Sequence, residues 1–173
     1  MADDSAHPPV EYPPNAVHML RTTQLAQLQL SAMADTKASI LMGATFVIFT
    51  ITINQAHSGG APLPLLILGG AAFFSAIFAV LAVLPMIRRK SPAGEGNLLF
   101  FGFFTRLGEE AFIGEIISRI ATEHRIYEMM ARDIYQNGMV LQHKKYKMLG
   151  YAYRILLLGM VASCAAYVLR YLV

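Results

Sequence analysis

An all-α membrane protein, with three transmembrane helices and a helical region between the second and third, is the fold class this sequence predicts. Three observations carry it. Two apolar runs, ASILMGATFVIFTITI (Ala38 to Ile53) and LPLLILGGAAFFSAIFAVLAVLPMI (Leu63 to Ile87), contain no acid, Lys, Arg or His. A bilayer core needs about 20 residues of helix, within a range of roughly 17 to 25. The second run meets that alone, and the first does with a few flanking residues. A third run, ILLLGMVASCAAYVL, closes the chain, and no β alternation of useful length occurs. Backbone groups in lipid must pair within their own segment, so these runs are helices. The alternative, a buried hairpin of a soluble domain, fits poorly with a chain that is 55% hydrophobic and only 14% charged.

Taken in order, residues 1–15 (MADDSAHPPVEYPPN) hold four prolines and three acids and cannot bury a core, which predicts a disordered arm. Residues 16–173 then read as a single domain. From Ala16 a helix without Gly or Pro, with Leu20, Leu25, Leu28 and Ala32 at roughly helical spacing, runs into the first span at about 36–55. Asp35 and Lys37 fall at its water boundary. The Gly- and Pro-bearing NQAHSGGAP turns the chain into the second span, 63–87, where Pro85 permits a kink. Arg88, Arg89 and Lys90 follow, then the loop SPAGEGN, and then LLFFGFF, which is too short to cross and reads as interfacial or packed. The intervening helical region spans 91–147. Its stripe of Ile113, Ile116, Ile117, Ile120, Tyr127, Met130, Ile134 and Leu141 opposes a charged side, and Asn137-Gly138 is the expected break. The third span, 148–172, has Tyr151 and Tyr153 at one end and Tyr167 and Tyr171 at the other, as aromatic belts do. Cys164, the single cysteine, reads as a small packing residue.

Basic residues set the orientation. Ten of the 14 Lys and Arg lie between Ile87 and Met148, and none lies between the first two spans. Cytoplasmic flanks carry this excess. The N-terminus and the middle segment are therefore expected in the cytoplasm and the C-terminus outside.

The chemistry is sparse. The five histidines form no His-x-x-x-His pair, no Cys-x-x-Cys exists, and no nucleophile elbow or glycine-rich phosphate loop occurs. No enzymatic activity, metal or cofactor is expected. A net charge of +3 does not suggest nucleic acid. The spans lack the buried acid of a proton-coupled pump, and their scattered hydroxyls satisfy their own helices. What remains is cationic surface. Arg119, Arg125 and Arg132, six and seven residues apart, track one helix face and are suited to hold a phosphate-bearing ligand. Glu115 and Glu128 stand in position to pair with Arg119 and Arg132 instead. Lys144, Lys145 and Lys147 gather where the third span begins, which suits anionic lipid headgroups.

The segment ADTKASILMGATFVIFTI resembles the A-D-x-K-A lead-in to the first span of Pycsar transmembrane effectors. So do P-x-x-R…NLLFFG (Pro85, Arg88 and Asn97 to Gly102) and DIYQNGMVLQHKKYKMLGYAY, with Asp133 and Lys144-Lys145-Tyr146 in order. The matching positions are Asp35, Lys37, Asn97, Gly102, Asp133, Lys144 and Lys145. The resemblance implies an antiphage effector of the bacterial inner membrane. It also implies an activating ligand, cyclic CMP or cyclic UMP, made by a pyrimidine cyclase, and membrane disruption through rearrangement of a homo-oligomer. Small residues in the spans, such as Gly43, Gly69, Gly70 and Ser75, would let helices associate closely. No cyclic-nucleotide-binding β-roll is encoded, so a nucleotide must bind the helical part or be sensed by a partner. The alternative is a non-enzymatic, channel-like or structural oligomer with no nucleotide ligand.

Overall fold

A helix in lipid satisfies its backbone within itself, and all regular structure among the described residues of this computed structural model is helical. Those residues are 12–60, 62–84 and 96–172. The elements are α1 (Ala16–His57), α2 (Leu63–Val83), α3 (Phe101–Phe104), α4 (Glu109–Arg119), α5 (Glu123–Val140), a π-helical segment (Leu141–Tyr146) and α6 (Lys147–Leu172). Three helical runs are long and apolar enough to cross a membrane: α1, α2, and the run Glu123–Arg170 that contains most of α6. The predicted single domain from residue 16 forms two compact units. The first comprises Met1–Leu28 and Met86–Gly138, the second Gln29–Pro85 and Met139–Val173.

In the second unit, α1 stops where Gly59 and Gly60 take φ of 125° and 113°, a backbone region that side-chain-bearing residues rarely adopt. Pro62 and Pro64 then open α2, where a missing N–H costs nothing. α2 lies along α6. The core between the helices is mostly alanine: Ala34, Ala38, Ala79, Ala82 and Ala152, with Leu41 and Leu149 beside them. Lipid tails are as apolar as Leu, so close backbone approach rather than greasiness holds such helices together. At Gly159 a Cβ would stand 2.0 Å from the Ala71 Cβ. Hydroxyls behave as the sequence suggests for Thr45, Thr50 and Thr52, which donate to carbonyls three or four residues back in α1. Ser75 departs from that pattern. Fully buried, it donates across to the Ala152 carbonyl of α6 at 2.8 Å. Ser163 of α6 likewise donates to the Pro64 carbonyl at 2.7 Å. Cys164, expected to pack, is exposed.

The second span ends earlier than expected, at Val83; Pro85, Arg88, Arg89 and Lys90 lie outside the described residues. So do residues 1–11 of the arm, while Tyr12 to Asn15 form the turn into α1.

In the first unit, LLFFGFF packs: Leu98 is buried, Phe101–Phe104 make one helical turn, and Phe104 stacks 5.1 Å from Phe112. The helical break falls at Ile120 to Thr122, not at Asn137-Gly138. Thr122 is a favoured residue type before a helix, and Glu123 complements the new helix's dipole. Gly138 is helical, and a Cβ there would stand 3.3 Å from the Gln27 amide nitrogen. The predicted apolar stripe is only partly covered: Ile113, Ile117 and Ile120 are exposed, Ile116, Tyr127, Met130, Ile134 and Leu141 are half-buried, and Met129 and Asp133 are the buried residues of α5.

Gly159→Ala is expected to destabilise the α2–α6 pair by about 1–3 kcal/mol, the usual range for overpacking. Thermal unfolding in detergent measures it, and Ala71→Gly in the same chain should recover most of the loss. Recovery absent from the double variant would mean that the two helices do not touch there.

Candidate functional site

Three of the residues singled out in the sequence meet in the first unit. Arg119 near the end of α4 and Arg125 and Arg132 on α5 line one cleft of about 310 Å³, together with Ser118, Glu128 and Met129. The break at residues 120–122 makes this possible. A straight helix would carry Arg119 and Arg125 away along one axis; the bend leaves the end of α4 and the beginning of α5 on one cleft. Arg125 secures the bend, its Nη1 donating to the Ser118 carbonyl at 3.5 Å. Arg119 Nε pairs with Glu115 at 3.2 Å and Arg132 Nη2 with Glu128 at 3.0 Å. Both are i,i+4 pairs in the favourable order, as the spacing predicts. They are half-exposed, and such pairs contribute only about 0–1 kcal/mol. A stronger anion can exchange for either carboxylate at little cost.

The arrangement suits a phosphate diester. Guanidinium groups bind phosphate oxygens two at a time and stack on planar rings. Met129 offers an apolar wall, and the Ser118 carbonyl and Glu128 carboxylate are acceptors for a base N–H. At about 310 Å³ the cleft lies at the lower end of the roughly 300–1,000 Å³ range of small-molecule sites.

The other sequence-derived positions lie elsewhere and are engaged. Asp133, 8% exposed, accepts from Asn97 Nδ2 at 2.7 Å and from Gln24 Nε2 at 3.0 Å. Asn97 in turn accepts from the Leu99 amide at 2.9 Å, which fixes the turn before α3. Gly102 sits in α3 against Phe100, where a Cβ would collide with the ring. In the second unit, Lys145 Nζ reaches both carboxylate oxygens of Asp35 and the Ser31 hydroxyl, each at 2.7 Å. Lys144 donates to the Leu84 carbonyl at the end of α2. Partial burial, and then the charge of Lys145, lower its pKa. Adjacent lysines reach two different helices from the π-helical segment. Lys37 is exposed, and its carbonyl accepts from the Tyr153 hydroxyl at 3.4 Å. Among the described residues no group of three His, Cys, Asp or Glu side chains is placed to hold a metal ion.

Sequence reasoning overlooked Gln24 and Ser31. The signal was present: Gln24, Gln27, Ser31 and Asp35 fall at spacings of three, four and four along α1. Leu25 and Leu28, which drew attention as apolar residues instead, are each 63% exposed.

The family model described as the Pycsar effector protein domain matches residues 18–171. No curated protein and no solved structure matches this chain.

Asp133 accepts two amide donors, and each orphaned donor costs about 1–3 kcal/mol. Asp133→Ala is therefore expected to destabilise the first unit by that order. Asp133→Asn should cost less than half as much, because Gln24 can turn its amide to present an oxygen while Asn97 keeps its own bond. Chemical denaturation of both variants checks this; equal losses would mean that the negative charge itself is required.

Proposed function

The chain belongs to the Pycsar effector family, and from that premise we propose that it is a non-enzymatic effector of the bacterial inner membrane switched on by a cyclic pyrimidine nucleotide. It is a Pycsar antiphage effector and a membrane protein. In the proposed mechanism, a pyrimidine cyclase supplies cyclic CMP or cyclic UMP during infection. The nucleotide enters the cleft of Arg119, Arg125 and Arg132, and bound copies rearrange as a homo-oligomer that breaches the bilayer. The N-terminus and the arginine cleft face the cytoplasm, where the excess of Lys and Arg belongs, and the C-terminus lies outside.

The observation that carries this reading is the convergence of three arginines on one cleft within the matched residues. Each arginine can trade an i,i+4 carboxylate or a carbonyl for a phosphate oxygen. Binding would draw α4 and α5 together across the bend, because Arg119 stands on one helix and Arg125 and Arg132 on the other. A state with that bend closed would gain population in proportion to its tighter binding. Within this reading the ligand set narrows to the three arginines. Asp133, Lys144 and Lys145 act as positioning groups through Asn97, Gln24, Leu84 and Asp35.

Two measurements test the proposal. In cells expressing the protein, membrane potential should collapse when cyclic CMP or cyclic UMP is supplied and hold without it. Depolarisation that ignores both nucleotides would favour a channel-like protein without a nucleotide ligand. In calorimetric titrations of purified protein, Arg125→Ala should weaken binding by about ten- to a hundredfold, the loss of one or two charge-assisted hydrogen bonds. An unchanged affinity would place the nucleotide elsewhere.

A further inference from the structure

At the end of the second unit that carries the Gly60 turn, a groove of about 1060 Å³ runs between α2 and α6. Pro64 and Leu68 line it from α2, and Ser163, Tyr167 and Arg170 from α6. Spacings of four and three put the three α6 residues on one helix face. The groove changes character along its length. Ser163 stands level with Pro64, whose carbonyl takes its hydroxyl proton at 2.7 Å, so that polar group is spent. Leu68 lies about 6 Å deeper along α2, and Arg170 about 10 Å further out along α6. The inner end is therefore apolar, and the mouth carries a guanidinium.

That guanidinium has no counter-charge. Among the described residues no ion pair engages Arg170, which is exposed. Asp35 is the only acid in the sequence of the second unit, and Lys145, at the far end of the same helical run, holds it. No Asp or Glu lines the groove. Its volume matches or exceeds the top of the roughly 300–1,000 Å³ range of small-molecule sites, more room than a lone inorganic anion needs.

We propose that this groove seats one anionic phospholipid, its phosphate on the Arg170 guanidinium and an acyl chain along Leu68. Guanidinium and phosphate diester meet through two parallel N–H···O bonds. The place in the fold supplies the occupant. α2 is long and apolar enough to cross a membrane, and so is the run that ends at Arg170, so the mouth falls at headgroup depth. Basic pockets between membrane helices take anionic headgroups. A zwitterionic headgroup would add an ammonium for which the groove offers no carboxylate. The site shares no residue with the arginine cleft of the first unit, and it stands whether or not a nucleotide binds there.

The purified full chain in detergent is mixed with phosphatidylglycerol, phosphatidylcholine or glycerol 3-phosphate, and retained ligand is counted by native mass spectrometry. The parent should retain one phosphatidylglycerol about tenfold more readily than phosphatidylcholine, as one charge-assisted hydrogen bond would give. It should retain no glycerol 3-phosphate. Arg170→Gln should erase the preference, Arg170→Lys should keep part of it, and Arg154→Gln should leave it intact. Leu68→Trp, which fills the inner end, should cut retention of both lipids severalfold; if that variant does not fold, the arginine variants decide. Equal retention of the two lipids by the parent overturns the proposal. So do equal losses in Arg170→Gln and Arg154→Gln, which would reduce the effect to surface charge. Glycerol 3-phosphate held as well as the lipid overturns it too, leaving an anion site without an acyl seat.

Discussion

Hydrocarbon supplies no hydrogen-bond partner and no hydrophobic reward for bringing two apolar helices together, and the second unit is built around that constraint. Its helices approach through the smallest side chains available. Gly159 admits the Ala71 methyl, and Ala79, Ala82 and Ala152 fill positions where a soluble core would use Leu or Phe. Its largest fully buried side chains are Thr45 and Ser75. Each hydroxyl finds a carbonyl, in its own helix for Thr45 and in the facing helix for Ser75. Among the described residues most charged groups lie near the ends of the spans. There Lys145, Asp35 and Ser31 satisfy one another, and Lys144 satisfies the last carbonyl of α2. The π-helical segment lets two consecutive lysines do both, since its widened turn alters the angle between neighbours.

The first unit obeys the same rule with different solvent, and the outcome inverts. Charges at a water-exposed surface need no fixed partner, so the arginines of the cleft hold weak, half-exposed pairs that a phosphate can replace. Among the described residues the buried carboxylate, Asp133, is held by two neutral amides instead of a cation. A buried ion pair would have had to offset the desolvation of two charges; amides carry a smaller penalty. The division of labour follows from burial. Asp133 fixes the beginning of α1, the turn before α3 and α5 in one arrangement, and the exchangeable charges stand on the surface that arrangement creates.

The three spans and the helix entering the first were legible in the chain because hydropathy adds up over neighbouring residues. Whether Ala38 to Ile53 enters lipid depends on those residues and hardly at all on what lies elsewhere. The same local arithmetic gave the i,i+4 pairs of Arg119 and Arg132. It misplaced the break between α4 and α5, because a glycine within a helical pattern can stay helical, and it gave no reason to turn Ile113 and Ile117 outward. Only the tertiary structure decided which charges meet. Gln24 finds Asp133 across 109 residues and Asp35 finds Lys145 across 110. Such pairings reflect where distant backbones are carried by packing, and no window along the chain contains both halves. The sequence alone determined that there are three spans and a cationic helical segment; the fold decided that three arginines share a cleft while the two lysines lock helices.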